Sequence, residues 1–233
     1  MWLSLSIYNV VNSSIGHSVT EPQLDVTAEI TEPHSFRSKE RRPATPARLG
    51  RQSMKAAIIS GASVGIGSAT AELFAQEGYI VYCLARRECP VSGVNSIECD
   101  LSTQGSIDDA CQRLERELVD CEEIALVHNA SQMLKDRVDG CASDDLAHVL
   151  AINVTGINSL NQYLIPMMQA SSSVLYIGST LSEKAVANSF SYVTSKHAQL
   201  GMMRATCQDL MGSGIHTAMI CPGFTDTEML RTH

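Results

Sequence analysis

From Met54 onward the chain alternates short apolar runs with longer amphipathic stretches, and this alternation constrains the fold more than any other feature. The runs "KAAIIS", "YIVYCLA", "NSIECD", "IALVHNA", "SSVLYIGS" and "HTAMICPG" read as strands. The stretches from about Gly67 to Glu77, Ser106 to Val119, Asp144 to Ala170 and Phe190 to Met211 read as helices. Only the link from Arg86 to Asn95 has no helical pattern. Strands separated by helices join through right-handed crossovers, which predicts a mostly parallel sheet with ligands at the carboxyl ends of its strands. With 233 residues, 44% of them hydrophobic, the chain can fill one sizeable core.

Charge and cysteine content narrow the class of protein. A formal charge of -8 and a pI near 5.3 argue against a basic footprint for nucleic acid or for an anionic membrane surface. No apolar run reaches the roughly 20 residues of a membrane span. The eight cysteines (83, 89, 99, 111, 121, 141, 207, 221) are scattered with no CxxC pair, as expected of free thiols in a reducing compartment, the cytoplasm. The histidines form no ligand spacing for zinc. Residues 1–53 differ from the rest: four prolines, little periodicity and the cluster "RSKERRPATPARLGR" read as a disordered extension. The composition of that extension suits neither a secretory signal nor a transit peptide. Met54 directly precedes the first strand, so the extension reads as a gene-model artefact, with one domain over 54–233.

The stretch "SGASVGIGSATAELFAQEG" joins the first strand to the first helix, with Gly61, Gly65 and Gly67 in the turn and Gly78 at the helix end. Glycines here let the backbone turn sharply and let a pyrophosphate approach N–H groups at the positive end of the helix. A dinucleotide is the natural ligand.

Five motifs in order resemble the short-chain dehydrogenase/reductase family over residues 55–229. "SGASVGIG" resembles the family's TGxxxGIG, with Ser60, Ser63 and Ile66 in the turn; "HNAS" resembles NNAG; "INVTG" supplies an asparagine; "YVTSK" matches YxxxK; "PGFTDT" resembles PGxxxT. His128 and Ser131 replace the usual asparagine and glycine. The resemblance implies a Rossmann-type, doubly wound α/β fold in three layers. It also implies an oxidoreductase acting on a small carbonyl or alcohol, and a homodimer or homotetramer joined through the helices carrying Asn153 and Tyr192. In NAD-selective relatives an acid ends the second strand. Here Ala85 stands there, followed by Arg86 and Arg87, and a guanidinium binds a 2′-phosphate bidentately, so NADP(H) is favoured over NAD(H). Asp100, with Leu101 after it, resembles the aspartate that contacts adenine; Asn129 and Ala130 resemble the turn lining the cofactor crevice.

Reducing a carbonyl by hydride transfer leaves negative charge on oxygen, so the site needs a proton donor and electrostatic stabilisation there. Tyr192 and Lys196 lie four residues apart, hence on one helix face, and a neighbouring ammonium together with the oxidised nicotinamide should lower the phenol's pKa. The resemblance gives Lys196 the nicotinamide ribose, Ser179 the orientation of substrate, and Asn153 a water that completes a proton relay through Lys196. His197 falls about 100° round the helix from Lys196 and reads as packing or surface. Pro222, Gly223 and Thr225 are expected on the nicotinamide side, with Thr227 as the last hydroxyl of the motif. The family normally continues through a flap and a seventh strand, so the chain reads as C-terminally incomplete. That leaves a non-catalytic dinucleotide-binding protein or an inactive truncated one as the alternative.

Overall fold

The computed structural model describes residues 54–225, 227, 228 and 231; the reading of residues 1–53 lies outside them. Six strands form one parallel sheet: β1 (Met54–Ser60), β2 (Ile80–Ala85), β3 (Asn95–Glu98), β4 (Cys121–His128), β5 (Ser173–Ile177) and β6 (His216–Ile220). Their order is β3-β2-β1-β4-β5-β6. The chain winds outward in one direction to β3 and then crosses back to β4, so a crevice opens between the carboxyl ends of β1 and β4. Among the described residues no strand pairs the outer edge of β6.

Five helices connect the strands: α1 (Gly65–Gln76), α2 (Gln104–Glu117), α3 (Ser143–Leu150), α4 (Gly156–Leu164) and α5 (Phe190–Asp209). The single helix expected from Asp144 is interrupted by a π-helical turn at Ala151–Thr155 and ends in a 3-10 turn, Ile165–Met167. Hydrophobic spacing cannot reveal a π turn, because one extra residue leaves the apolar stripe nearly aligned. The link from Arg86 to Asn95 has no helix, as its pattern implied.

Strand residues bury both faces of the sheet by alternation. Ala56, Ile58, Leu84, Leu126 and Tyr176 pack against Ile107 and Leu114 of α2 and Ile157 and Leu160 of α4. Ala57, Ile59, Val81, Val127 and Leu175 pack on the other face with Ala71 and Phe74 of α1. All eight cysteines are free, and among the described residues no cluster of potential metal ligands forms. No described helix is long and apolar enough to cross a membrane.

His128, one of the two family departures, is fully buried at the end of β4. Its Nε2 lies 2.7 Å from Asn161 Oδ1, while Asn161 Nδ2 donates to the Tyr176 hydroxyl at 3.0 Å. The amide oxygen therefore accepts from the ring, which makes His128 a neutral Nε2–H tautomer. Burial lowers its pKa from 6.5 to about 4, against the pull of the Asn161 bond. Such a histidine takes up a proton more readily when unfolded, so its contribution to stability is intact above pH 6.5 and is lost as pH falls toward 4. Between pH 7.5 and pH 4 the wild type should lose on the order of 3 kcal/mol more stability than His128→Asn. Denaturant unfolding of both chains across that range measures the difference.

Candidate active site

The crevice holds a cleft of about 250 Å³. Its floor is the glycine turn. The backbone of Gly61 and Gly65 takes φ of +69° and +58°, a left-handed conformation open mainly to glycine. A Cβ on Gly61 would come within 2.7 Å of Ala130 Cα, so the turn after β4 closes directly on it. Val64 at the start of α1 has no side-chain acceptor, and the first turn holds no acid. Uncapped N–H groups beside side-chain-free backbone are the surroundings that a dinucleotide pyrophosphate requires, and the cleft fits that group.

Of the residues expected to bind cofactor, Gly61, Ser63, Gly65, Ile66, Arg86, Arg87, Asp100, Leu101, Asn129, Ala130, Tyr192 and Lys196 line the cleft. Ser60 and Gly67 lie behind it. The Ser60 hydroxyl accepts from the N–H groups of Asn129 and Ala130 at 3.0 and 3.1 Å, tying β1 to the turn after β4. Asn129 Nδ2 returns bonds to the carbonyls of Ser60 and Gly61 at 3.1 and 3.0 Å. Asp100 accepts from the Ser102 N–H and hydroxyl at 2.9 and 2.7 Å, bonds that hold its carboxyl below the usual range. Arg87 pairs with Glu228 at 3.4 Å at the exposed mouth. Pro222, Gly223 and Thr225 fall in the segment after β6, outside the lining; the Pro222 carbonyl accepts from Thr180 N–H at 3.1 Å.

The inner wall is the buried face of α5. Ser191, Tyr192, Ser195, Lys196 and Gln199 recur at helical spacing and are all buried, a polar stripe where a core would ordinarily be aliphatic. Lys196 is 2% exposed, with Nζ 5.5 Å from the centre of the Tyr192 ring. Burial lowers its pKa to about 7. The phenol of Tyr192 is raised, not lowered as the sequence led us to expect: burial dominates, and the Ser179 and Ser131 hydroxyls pull only partly the other way. The neighbouring lysine, its own charge disfavoured by burial, offsets the cost of burying a phenolate only weakly.

Ser179 sits at the turn Thr180–Ser182 beyond β5, half-buried, its Oγ accepting from Leu181 N–H at 3.1 Å. The Asn153 side chain lies in the π turn and is occupied. Its Oδ1 accepts from Gln132 N–H at 2.7 Å, and its Nδ2 donates to the Gln132 carbonyl and to Ser195 Oγ, both at 2.9 Å. Its amide thus braces the loop after β4. His197 is exposed. Sequence reasoning missed Gln132, Gln199 and Glu228 and took Ser131 only as a departure. The signal for Gln199 was its position three residues after Lys196, which puts both on one face.

A family profile described as short chain dehydrogenase matches residues 55–233. The chain belongs to the short-chain dehydrogenase family. Its members are NAD(P)-dependent oxidoreductases, and this chain is one of them. It is similar to dehydrogenase/reductase SDR family member 6 of Xenopus laevis, 28% identical over 192 residues, covering 78% of this chain and 76% of that one. The 3-oxoacyl-[acyl-carrier-protein] reductase MabA of Mycobacterium avium is 27% identical over 179 residues, covering 76% and 69%. A short chain dehydrogenase from Burkholderia cenocepacia, solved in complex with NADP, superposes with a TM-score of 0.70 at 25% identity, covering 77% and 78%.

In this short-chain dehydrogenase Gly67 is packed tightly against the glycine turn and the turn after β4. A Cβ there would stand 2.4 Å from both Asn129 Nδ2 and the Gly61 carbonyl. Gly67→Ala should therefore force β1, α1 and the β4 turn apart, costing about 1–3 kcal/mol of stability and weakening NAD(P)H binding. Thermal unfolding and NAD(P)H fluorescence titration check both effects.

Proposed function

We propose that this oxidoreductase transfers hydride between NADP(H) and a small carbonyl or secondary alcohol, with Tyr192 as general acid and base. The observation that carries the reading is the polar stripe of α5. It sets a phenol and a buried ammonium side by side against a cleft that fits a dinucleotide. The nicotinamide, when bound, supplies or takes the hydride. The chain's own residues handle the proton and the charge. Tyr192 is held protonated at neutral pH, which is the form that gives a proton to a carbonyl oxygen. Ser179, acting on the same phenol, orients that oxygen, and Lys196 holds the ribose and the phenol's electrostatic surroundings. In the reverse direction Tyr192 accepts the proton, a step that gains as pH rises.

Arg86 and Arg87 line the cleft at the end of β2, where Ala85 has no carboxylate to hold ribose hydroxyls. This supports NADP(H) over NAD(H). Arg87 is engaged by Glu228, whereas Arg86 lines the cleft, so Arg86 is the better partner for a 2′-phosphate. The similarity to a 3-oxoacyl reductase makes acyl thioesters reasonable substrates to screen beside ketones and secondary alcohols. The free cysteines fit a cytoplasmic protein, and a groove between α4 and α5 near Asn158, Gln162 and Ala205 fits assembly as a homodimer or homotetramer. Light scattering on a size-exclusion column measures the latter.

Tyr192→Phe should lower kcat about 10²–10⁴-fold while leaving NADPH binding within a few-fold. A Phe variant that turns over normally overturns the assignment, and a wild type that binds NADPH without any turnover favours a non-catalytic dinucleotide-binding protein. Arg86→Asp should raise the KM for NADPH at least about tenfold more than the KM for NADH, the loss of a charge-assisted bond. Equal changes would remove the case for NADP(H).

A further inference from the structure

Lys196 is buried where no carboxylate of the described residues bears on it. Its Nζ donates to the Ile177 carbonyl and to Gln199 Oε1, each at 2.9 Å. Gln199, 1% exposed, donates through Nε2 to the main-chain carbonyl of Asn153 at 2.8 Å. That carbonyl lies in the π turn. One side-chain amide thus spans from the ammonium on α5 to that carbonyl. The family resemblance gives Asn153 a water that completes a relay through Lys196, and here a glutamine side chain bridges the two residues. An amide can accept from an ammonium and donate to a carbonyl, but unlike water it does not pass a proton on readily. The Asn153 side chain is itself held by Gln132 and Ser195.

We propose that Gln199 is a positioning residue that clamps the Lys196 ammonium, bridging it to the main chain of the π turn and fixing where Nζ stands against Tyr192. This rests on the reading of Tyr192 and Lys196 given above. The groups that face Lys196 are few. From its own helix come Tyr192 and Gln199; β5 gives the Ile177 carbonyl; the segment after β6 gives Cys221, an exposed thiol. Gln199 and the Ile177 carbonyl are therefore the fixed acceptors that favour the charged form of Lys196. Removing one should lower the lysine's midpoint, and replacing it by a carboxylate should raise it.

The discriminating variants are Gln199→Met, of similar size but without an acceptor for the ammonium comparable to the amide oxygen, and Gln199→Ala, which leaves room for water between Nζ and the Asn153 carbonyl. The full chain contains five lysines, so lysine labelled with 13C at Cε gives a tractable NMR titration, with Lys196→Arg identifying the signal. Gln199→Met should lower the Lys196 midpoint by about one unit or more, Gln199→Ala should lower it less, and Gln199→Glu should raise it. NADPH affinity should fall in the same order, with Met weaker than Ala. A role in packing alone predicts the reverse, with Met resembling wild type and Ala the worst; that order, or three unchanged midpoints, overturns the proposal. Should Met fail to fold, Glu against Ala decides by the sign of the shift. The titration needs no cofactor and no substrate, so a wild type that binds no NADPH overturns the proposed function while the midpoints still decide on Gln199.

Discussion

The site is organised around one expensive choice, an ammonium held inside a hydrophobic protein without a carboxylate against it. Lys196 is solvated only by neutral oxygens, and burial lowers its pKa to about 7. A paired carboxylate would have stabilised the charge but would also have put negative charge next to the phenol of Tyr192, opposing its ionisation. Neutral acceptors leave the lysine poised near neutrality. The elements around it follow from that need: β5 ends where its carbonyl reaches Nζ, α5 turns a polar stripe inward, and the π turn presents Asn153.

The packing behind the cleft is tied to the same region by polar bonds across layers. Ser60 holds the turn after β4 to β1, Asn129 holds the same turn to the glycine loop, and Asn153 holds the loop after β4 to the π turn. Each bond joins segments far apart in sequence. Distortion at one wall of the cleft therefore reaches the others through short buried connections, with little slack to absorb it.

Much of this was legible in the sequence, for identifiable reasons. Strand and helix periods differ, so the six strands and the absence of a helix after Arg86 could be read directly. The glycine turn and the pair Tyr192 and Lys196 were legible because turn geometry and helical spacing are local. What failed was non-local. No pattern at Asn153 announces a π turn, and none at Gln199 says that its partner is a carbonyl on another helix. The phenol's shift was misjudged in direction because charge can be counted along a sequence, whereas desolvation depends on what packs above. Ser60 and Gly67 were legible as part of the glycine motif, whereas their contacts with the turn after β4 were not, because those contacts join segments far apart in sequence.

The two ends of the cleft are made of different materials. At the phosphate end the chain offers main-chain groups and the absence of side-chain atoms, while at the reacting end it offers a stack of specific side chains on one helix. The first end can recognise what dinucleotides share without reference to their chemistry. The second can be retuned one residue at a time without disturbing the grip on the carrier. For anyone wishing to redirect such a scaffold, the buried stripe of α5 is the keyboard and the glycine turn is the frame.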